Sequence, residues 1–145
     1  MDTARAQDLL DAWMHLTLNI RENRFLNSLS FNEMAICHLL EKAPDGLTAA
    51  QLCHQTRLLK SQMNKELANL EAKDLIAKVP SAHDKRKVLI SLSSSSGDLF
   101  EQEHARVMDL FSQVADTLGP TDSETLARLL HKATNVAETL IDCEK

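Results

Sequence analysis

Hydrophobic positions near the start of the chain recur with the period of an α-helix. Leu9, Trp13, Leu16 and Ile20 fall at steps of four, three and four, with Ala6 and Leu10 beside them. That amphipathic stripe predicts a long first helix over residues 3–27. Ser30-Phe31-Asn32-Glu33 then sets a hydroxyl and a carboxylate three residues apart. This capping-box spacing starts a second helix, and the turn residues Ala43-Pro44-Asp45-Gly46 stop it near Lys42. Thr48 and Gln51 repeat the box, with Leu47 and Leu52 placed to staple the entry of a short helix that ends around Thr56. A turn at Arg57-Leu58-Leu59 leads into a further helix over residues 60–73.

The period changes to two in Val88, Ile90 and Leu92, which alternate with Leu89 and Ser91. Ile76–Pro80 and Val88–Leu92 therefore predict a β-hairpin, with the polar, basic tip Ser81-Ala82-His83-Asp84-Lys85-Arg86-Lys87. Helical spacing returns after Gly97 in Phe100, His104, Val107, Phe111, Val114 and Leu118, and Gly119-Pro120 breaks it. Thr121 and Glu124 open a last helix carrying Leu126, Leu129, Ala133, Val136 and Leu140. There is no internal repeat, and Ser93–Ser96 is too short to be an interdomain linker. The pattern is mainly α with one small β-hairpin.

Composition supports that reading. Aromatic residues make up 3% of the 145, there is no Tyr, and Gly and Pro number three each; such a chain favours helix and is long enough for one domain with a real core. No apolar run approaches the roughly 20 residues of a membrane span. The acidic, helical N-terminus is unlike a secretory signal, so a cytoplasmic location is expected. Cys37, Cys53 and Cys143 are odd in number and far apart, which reads as reduced thiols.

Net charge is −5, but it is unevenly spread. Residues 47–97 hold eight Lys and Arg against four acids, a local +4, while the remainder holds eight against seventeen, or −9. An acidic body with one basic segment suits contact with a polyanion through a single surface; a solvated basic face gives the same tally.

The helix at 60–73 carries more information. On a helical wheel Met63, Leu67 and Leu70 share a narrow arc that must face a core. Ser61, Lys65 and Ala68 point the other way, flanked by Gln62, Asn64 and Asn69. A merely solvated face usually carries Glu–Lys pairs, whereas this one carries amides, a hydroxyl and a lysine. Amides bond adenine edges bidentately, and Lys reaches guanine acceptors or phosphate. In the hairpin, Asp84 and Arg86 are two apart, so the carboxylate can orient the guanidinium for a narrow minor groove, while Lys85 and Lys87 neutralise phosphates. The plainer reading of the tip is an exposed basic turn, largely screened by salt.

With these residues in place, the segment Leu47–Gly97 resembles the winged helix-turn-helix of the MarR family of bacterial transcriptional regulators. Thr48, Leu52, Ser61, Leu70 and Glu71 sit at characteristic positions, as do Leu75-Ile76, Pro80-Ser81, Asp84-x-Arg86 and Leu92-Ser93. The flanking helices match too. Departures are Arg57 in place of a turn Gly, Leu59 at a usual capping position, Asp74 for the Gly after the recognition helix, and one extra residue before Gly97.

The resemblance implies one MarR-like domain over residues 1–145, with a DNA-binding lobe at about 30–97 and dimerisation helices at 1–27 and 98–145. It implies a homodimer on a palindromic double-stranded DNA operator, acting as a repressor released by a small aromatic ligand. DNA contacts are expected from Lys60, Ser61, Gln62, Asn64, Lys65, Asn69, Asp84, Lys85, Arg86 and Lys87. Leu9, Trp13, Leu126, Leu129, Val136 and Leu140 are expected in the dimer interface, although such stripes also pack within one subunit. Trp13, Arg21, Arg24 and His38 are candidates to line an effector cleft, with ordinary packing or solvation the simpler reading of each.

The family's peroxide sensors use a Cys in the first helix supported by Tyr, and this chain has neither. Metal sensing also occurs in the family. His38 with Glu41, and Glu101 with His104, are each three apart, but His104 falls in an apolar stripe where a core histidine is commoner. No metal, cofactor or catalytic residue is expected: there is no Gly-rich phosphate loop, HExxH motif or nucleophile elbow. A winged-helix protein-interaction module without direct DNA binding is the alternative, and a stand-alone ligand-binding protein is the third reading.

Overall fold

Capping chemistry sets the first three helix starts in the computed structural model, which describes residues 2–20, 26–94 and 97–143. The Asp2 carboxylate accepts from the Arg5 amide at 3.1 Å and opens α1, Thr3–Asn19. Ser30 and Glu33 close the predicted box around the start of α2, Phe31–Glu41. Thr48 and Gln51 do the same for α3, Ala49–Thr56. The recognition helix α4 spans Lys60–Ala72. Strands β1, Ile76–Pro80, and β2, Val88–Leu92, pair antiparallel with Ile76 opposite Leu92 and Pro80 opposite Val88. Helices α5, Gly97–Leu118, and α6, Pro120–Cys143, complete the described chain.

Two boundaries differ from the sequence reading. α1 ends at Asn19, and residues 26–29 lie outside any helix; positions 21–25 of the expected helix lie outside the described residues. The amides of Asn27 and Ser28 are instead taken by the Glu103 carboxylate, at 3.0 and 2.6 Å, while Leu26 and Leu29 turn into the core. α6 begins at Pro120, one residue before the expected Thr121. Proline suits a first helical position because its missing N–H would have no partner there, and Gly119 takes the left-handed turn before it at φ +85°.

The chain forms two compact units, Met1–Val107 and Met108–Lys145. In the first, the core is built by Ile36, Cys37 and Leu40 of α2, Leu52 of α3, Met63, Leu67 and Leu70 of α4, Leu75, Ile76 and Ile90 of the hairpin, and Phe100 of α5. Leu47 adds a one-residue bridge to β2, exchanging both backbone hydrogen bonds with Ile90 at 2.9 and 2.8 Å. The hairpin is thus fixed to the segment that enters α3, and the wing takes its direction from the helix-turn-helix. In the second unit, the end of α5 exposes Met108, Phe111 and Val114, and α6 exposes Leu126, Leu129, Leu130, Val136 and Leu140. Among the described residues no helix is long and apolar enough to cross a membrane.

Gly46 is where this bridge depends on glycine. Its φ is +89°, and a Cβ there would lie 3.0 Å from the Ile90 carbonyl oxygen and 3.2 Å from Leu89 Cβ. A left-handed L-residue alone costs about 1–2 kcal/mol. Gly46→Ala is therefore expected to lower unfolding stability in urea by at least that amount. Gly97→Ala, whose Cβ would meet nothing within 4 Å, is expected to leave stability unchanged or slightly higher.

Candidate nucleic-acid interface

The recognition helix buries one face and presents the other. Met63, Leu67 and Leu70 are at most 2% exposed, while Lys60, Ser61, Gln62, Asn64, Lys65, Ala68 and Asn69 are all exposed. The apolar arc fixes the rotation of the helix, so the amide, hydroxyl and lysine groups share the outward side. The turn before it is built without glycine: Arg57 caps α3 in the left-handed region at φ 62° and donates its amide to the Cys53 carbonyl at 2.8 Å. Asp74 takes the same conformation after α4, at φ 58°, as expected of a short polar residue.

The N-terminus of α4 shows how the chain manages an apolar cap. Leu59 has no side-chain acceptor, so only the return half of a capping box forms: Gln62 Oε1 accepts from the Leu59 amide at 3.2 Å. Gln62 thereby satisfies the Leu59 amide, while the acceptor that a Ser or Asp cap would offer the first-turn amides of α4 is not replaced. The Gln62 carbonyl is engaged there, and its NH₂ group is the part left to point outward.

The wing tip is organised by Asp84. Its Oδ1 accepts from the Arg86 amide at 3.0 Å and from Arg86 Nε at 3.3 Å. The first bond is an Asx turn; the second holds the guanidinium, whose side chain is 92% exposed. Ser81 closes the loop beneath, donating its amide to the Lys87 carbonyl at 2.8 Å. Lys85 and Lys87 are exposed beside it. Lys87 and Val88 face the first turn of α3, Thr48–Gln51, across a cleft of about 370 Å³. Lys78 of β1 approaches Glu71 of α4 at 3.9 Å, a weak tie between wing and recognition helix.

Of the expected interface residues, Leu9 and Trp13 on α1 are 73% and 56% exposed, and Leu126, Leu129, Val136 and Leu140 on α6 are 40–63% exposed. Arg21 and Arg24 lie outside the described residues. His38 is half-buried and lines a groove of about 230 Å³ with Phe31, Ala35, Leu39, Thr56 and Leu58. Burial lowers the His38 pKa from its ordinary value, the Lys42 charge and His104 add to this, and Glu41 opposes it. Cys37 is fully buried, and its thiol is pushed up to about 12, chiefly by desolvation and then by Glu33, against Lys73. Such a thiol is a small core residue with no reactive thiolate. Cys53 is half-buried against the core, and the side chain of Cys143 lies outside the described residues.

A family model for the MarR family matches residues 28–87. Over that segment, which holds the helix-turn-helix and most of the wing, the chain is similar to the MarR family. No curated protein sequence matches the chain. Among solved structures, it is similar to a mutant MarR of E. coli complexed with operator DNA: 22% identity, 92% of this chain and 99% of that one covered, TM-score 0.70. It is also similar to the PcaV transcriptional regulator of Streptomyces coelicolor in complex with its natural ligand, at 17% identity, 94% and 97% coverage, and TM-score 0.74. A third is FabT of Streptococcus pneumoniae in complex with DNA, at 21% identity, 97% and 99% coverage, and TM-score 0.66.

One part of this lobe was not anticipated. Lys73, counted among the basic residues of the segment, turns inward. Its Nζ lies 2.7 Å from Glu33 Oε2 and donates to the Ser28 carbonyl at 3.1 Å. Glu33, with only 6% of its side chain exposed, also accepts from the Ser30 amide at 3.0 Å. The end of the recognition helix is thereby tied to the start of α2. Lys73→Met leaves the Glu33 carboxylate short of a partner and is expected to cost about 1–3 kcal/mol, toward the lower end because Lys73 is partly solvated. In a double-mutant cycle followed by chemical denaturation, Lys73→Met combined with Glu33→Gln is expected to cost less than the sum of the single changes.

Proposed function

We propose that the protein is a homodimeric, sequence-specific DNA-binding transcriptional regulator, a repressor released from its operator by a small aromatic ligand. The observation that carries this reading is the pairing of two surfaces. One is the exposed Ser61, Gln62, Asn64, Lys65 and Asn69 face of α4; the other is a wing tip where Asp84 holds the extended Arg86. Amides on a helix of this kind suit major-groove base edges, and an oriented Arg suits the minor groove. Lys60, Lys85 and Lys87 supply phosphate contacts. The DNA complexes of the E. coli and S. pneumoniae proteins of the same fold lend support.

In this proposal residues 1–145 act as one regulatory domain with a DNA-binding lobe at about 30–97. The exposed apolar stripes containing Leu9, Trp13, Leu126, Leu129, Val136 and Leu140 dimerise two chains, and the protein acts in the cytoplasm. Exposed aliphatic and aromatic residues in such numbers are the mark of an interface. A two-fold dimer sets two recognition helices on half-sites about one helical turn apart. The effector seats against His38 in the groove with Phe31 and Leu58, which is sized for a single ring.

Fluorescence anisotropy with the protein's own promoter, across a salt series, tests the DNA reading. Arg86→Ala is expected to weaken binding and to lower the slope of log K against log salt by about 0.9. Asn64→Ala is expected to lose about 1–3 kcal/mol of discrimination at one base pair. Equal affinity for promoter and random DNA at moderate salt would sink the proposal and leave the protein-interaction module standing. Sedimentation is expected to show two chains at micromolar concentration, shifting toward one with Leu129→Asp or Val136→Asp; a wild-type monomer would refute the dimer.

A further inference from the structure

We propose that His38, Glu41 and His104 form a binding site for one divalent transition-metal ion of the zinc class, built between α2 and the first half of α5. Each residue offers one ligand atom, and these atoms lie within 4.8 Å of one another. His38 and Glu41 are three apart on α2, so they share one face on successive turns. His104 reaches them from α5, its Nε2 3.9 Å from Glu41 Oε1. Its ring stacks on that of His38, with centroids 5.9 Å apart and planes at 21°. Phe100 packs against the other partner of this stack, 5.4 Å from the His104 ring, and limits how far His104 can swing.

Two imidazoles and a carboxylate are a donor set that zinc takes readily, with water in the fourth position. Bonds of about 2.0–2.1 Å in a tetrahedral centre separate ligand atoms by about 3.3 Å. The present spread therefore has to contract by about 1.5 Å at most, within the reach of side-chain rotation. At 3.9 Å the His104–Glu41 approach is too long for a hydrogen bond, so the three groups converge without bonding in the manner of a closed polar cluster. They are half-exposed, with 26% of the His104 side chain and 45% of the Glu41 side chain open to solvent. An ion can enter, and water can complete its shell. The neighbouring Lys42 opposes a cation, and Glu41 favours one. Glu101, three residues before His104, does not join the group. The second histidine ligand comes from a different helix, and an ion here would clamp α2 to α5. The site is separate from α4 and the wing, so it does not depend on the DNA-binding proposal; it shares His38 with the proposed effector groove, while Glu41 and His104 lie outside that groove's lining.

The test is isothermal titration of the tag-free full chain, stripped with chelator, using Zn²⁺, with Co²⁺ as a spectroscopic probe. The expected result is one Zn²⁺ per chain, and visible d–d bands of nitrogen-bound cobalt that saturate at one equivalent and vanish on adding Zn²⁺. His104→Ala and Glu41→Gln are expected to weaken affinity by at least the roughly 10–100-fold that loss of even an outer-shell partner costs. Glu41 is exposed, so Glu41→Gln tests the site without disturbing the core if His104→Ala fails to fold. His131→Ala, on α6 and outside the group, is expected to leave binding unchanged. Absence of binding at one equivalent, or binding that Glu41→Gln and His131→Ala leave equally intact, would overturn the proposal.

Discussion

Two buried carboxylates hold the recognition helix in its place. Glu103, 2% exposed, takes the amides of Asn27 and Ser28; the Ser28 carbonyl accepts from Lys73; and Lys73 pairs with Glu33, which caps Ser30. One short stretch, residues 27–30, is thereby tied to α5, to α2 and to the end of α4. Burying carboxylates is costly unless their oxygens are satisfied. Here they are: among the described residues, no buried side-chain nitrogen or oxygen lacks a partner. Such networks add little net stability relative to well-packed apolar groups, but removing one partner leaves a buried charge unmatched. The outward face of α4 is useful only if its rotation and exit are fixed. The apolar arc of Met63, Leu67 and Leu70 sets the first, and Lys73 and Glu33 set the second.

Much of this was legible in the sequence because it is local. Capping boxes at Ser30/Glu33 and Thr48/Gln51 act over three residues, and the helical and strand periods separate core from surface within one element. The rotation of α4 and the Asp84–Arg86 pairing both follow from spacing alone. The unread parts connect distant residues. Lys73 meets Glu33 across 40 positions, and Glu103 meets Ser28 across 75, and no short motif encodes either. Glu103 sits beside the apolar stripe of α5, where a period count treats an acid as a surface residue. His38, Glu41 and His104 show the limit most clearly: the sequence pairs neighbours on one helix, and the grouping comes from two.

Charge needed the same correction. The basic tally of the 47–97 segment treated every Lys and Arg as available to a polyanion. Lys73 is spent internally and Lys78 leans toward Glu71; of the other six, Arg57 stands in the turn before α4, and the positive charge at projecting positions comes from Lys60, Lys65, Lys85, Arg86 and Lys87. These occupy the start and middle of the recognition helix and the wing tip, the two places that project from the lobe. A smaller set of cations at projecting positions, carried by an acidic body, favours oriented approach over general adhesion.

α5 carries two kinds of surface along one helix. Its first half places Phe100 and Glu103 in the core and His104 against α2, while its second half exposes Met108, Phe111, Val114 and Leu118. Because the helix is continuous, a shift of its first half by one rotamer-sized step has to move Glu103 or break its bonds to Asn27 and Ser28. Those bonds lead through Ser28 to Lys73 and so to the exit of the recognition helix. Packed cores respond to such displacements by switching between discrete arrangements rather than bending gradually. The buried acid on α5 is therefore the point at which anything that grips the first half of this helix acquires leverage on the outward face of α4.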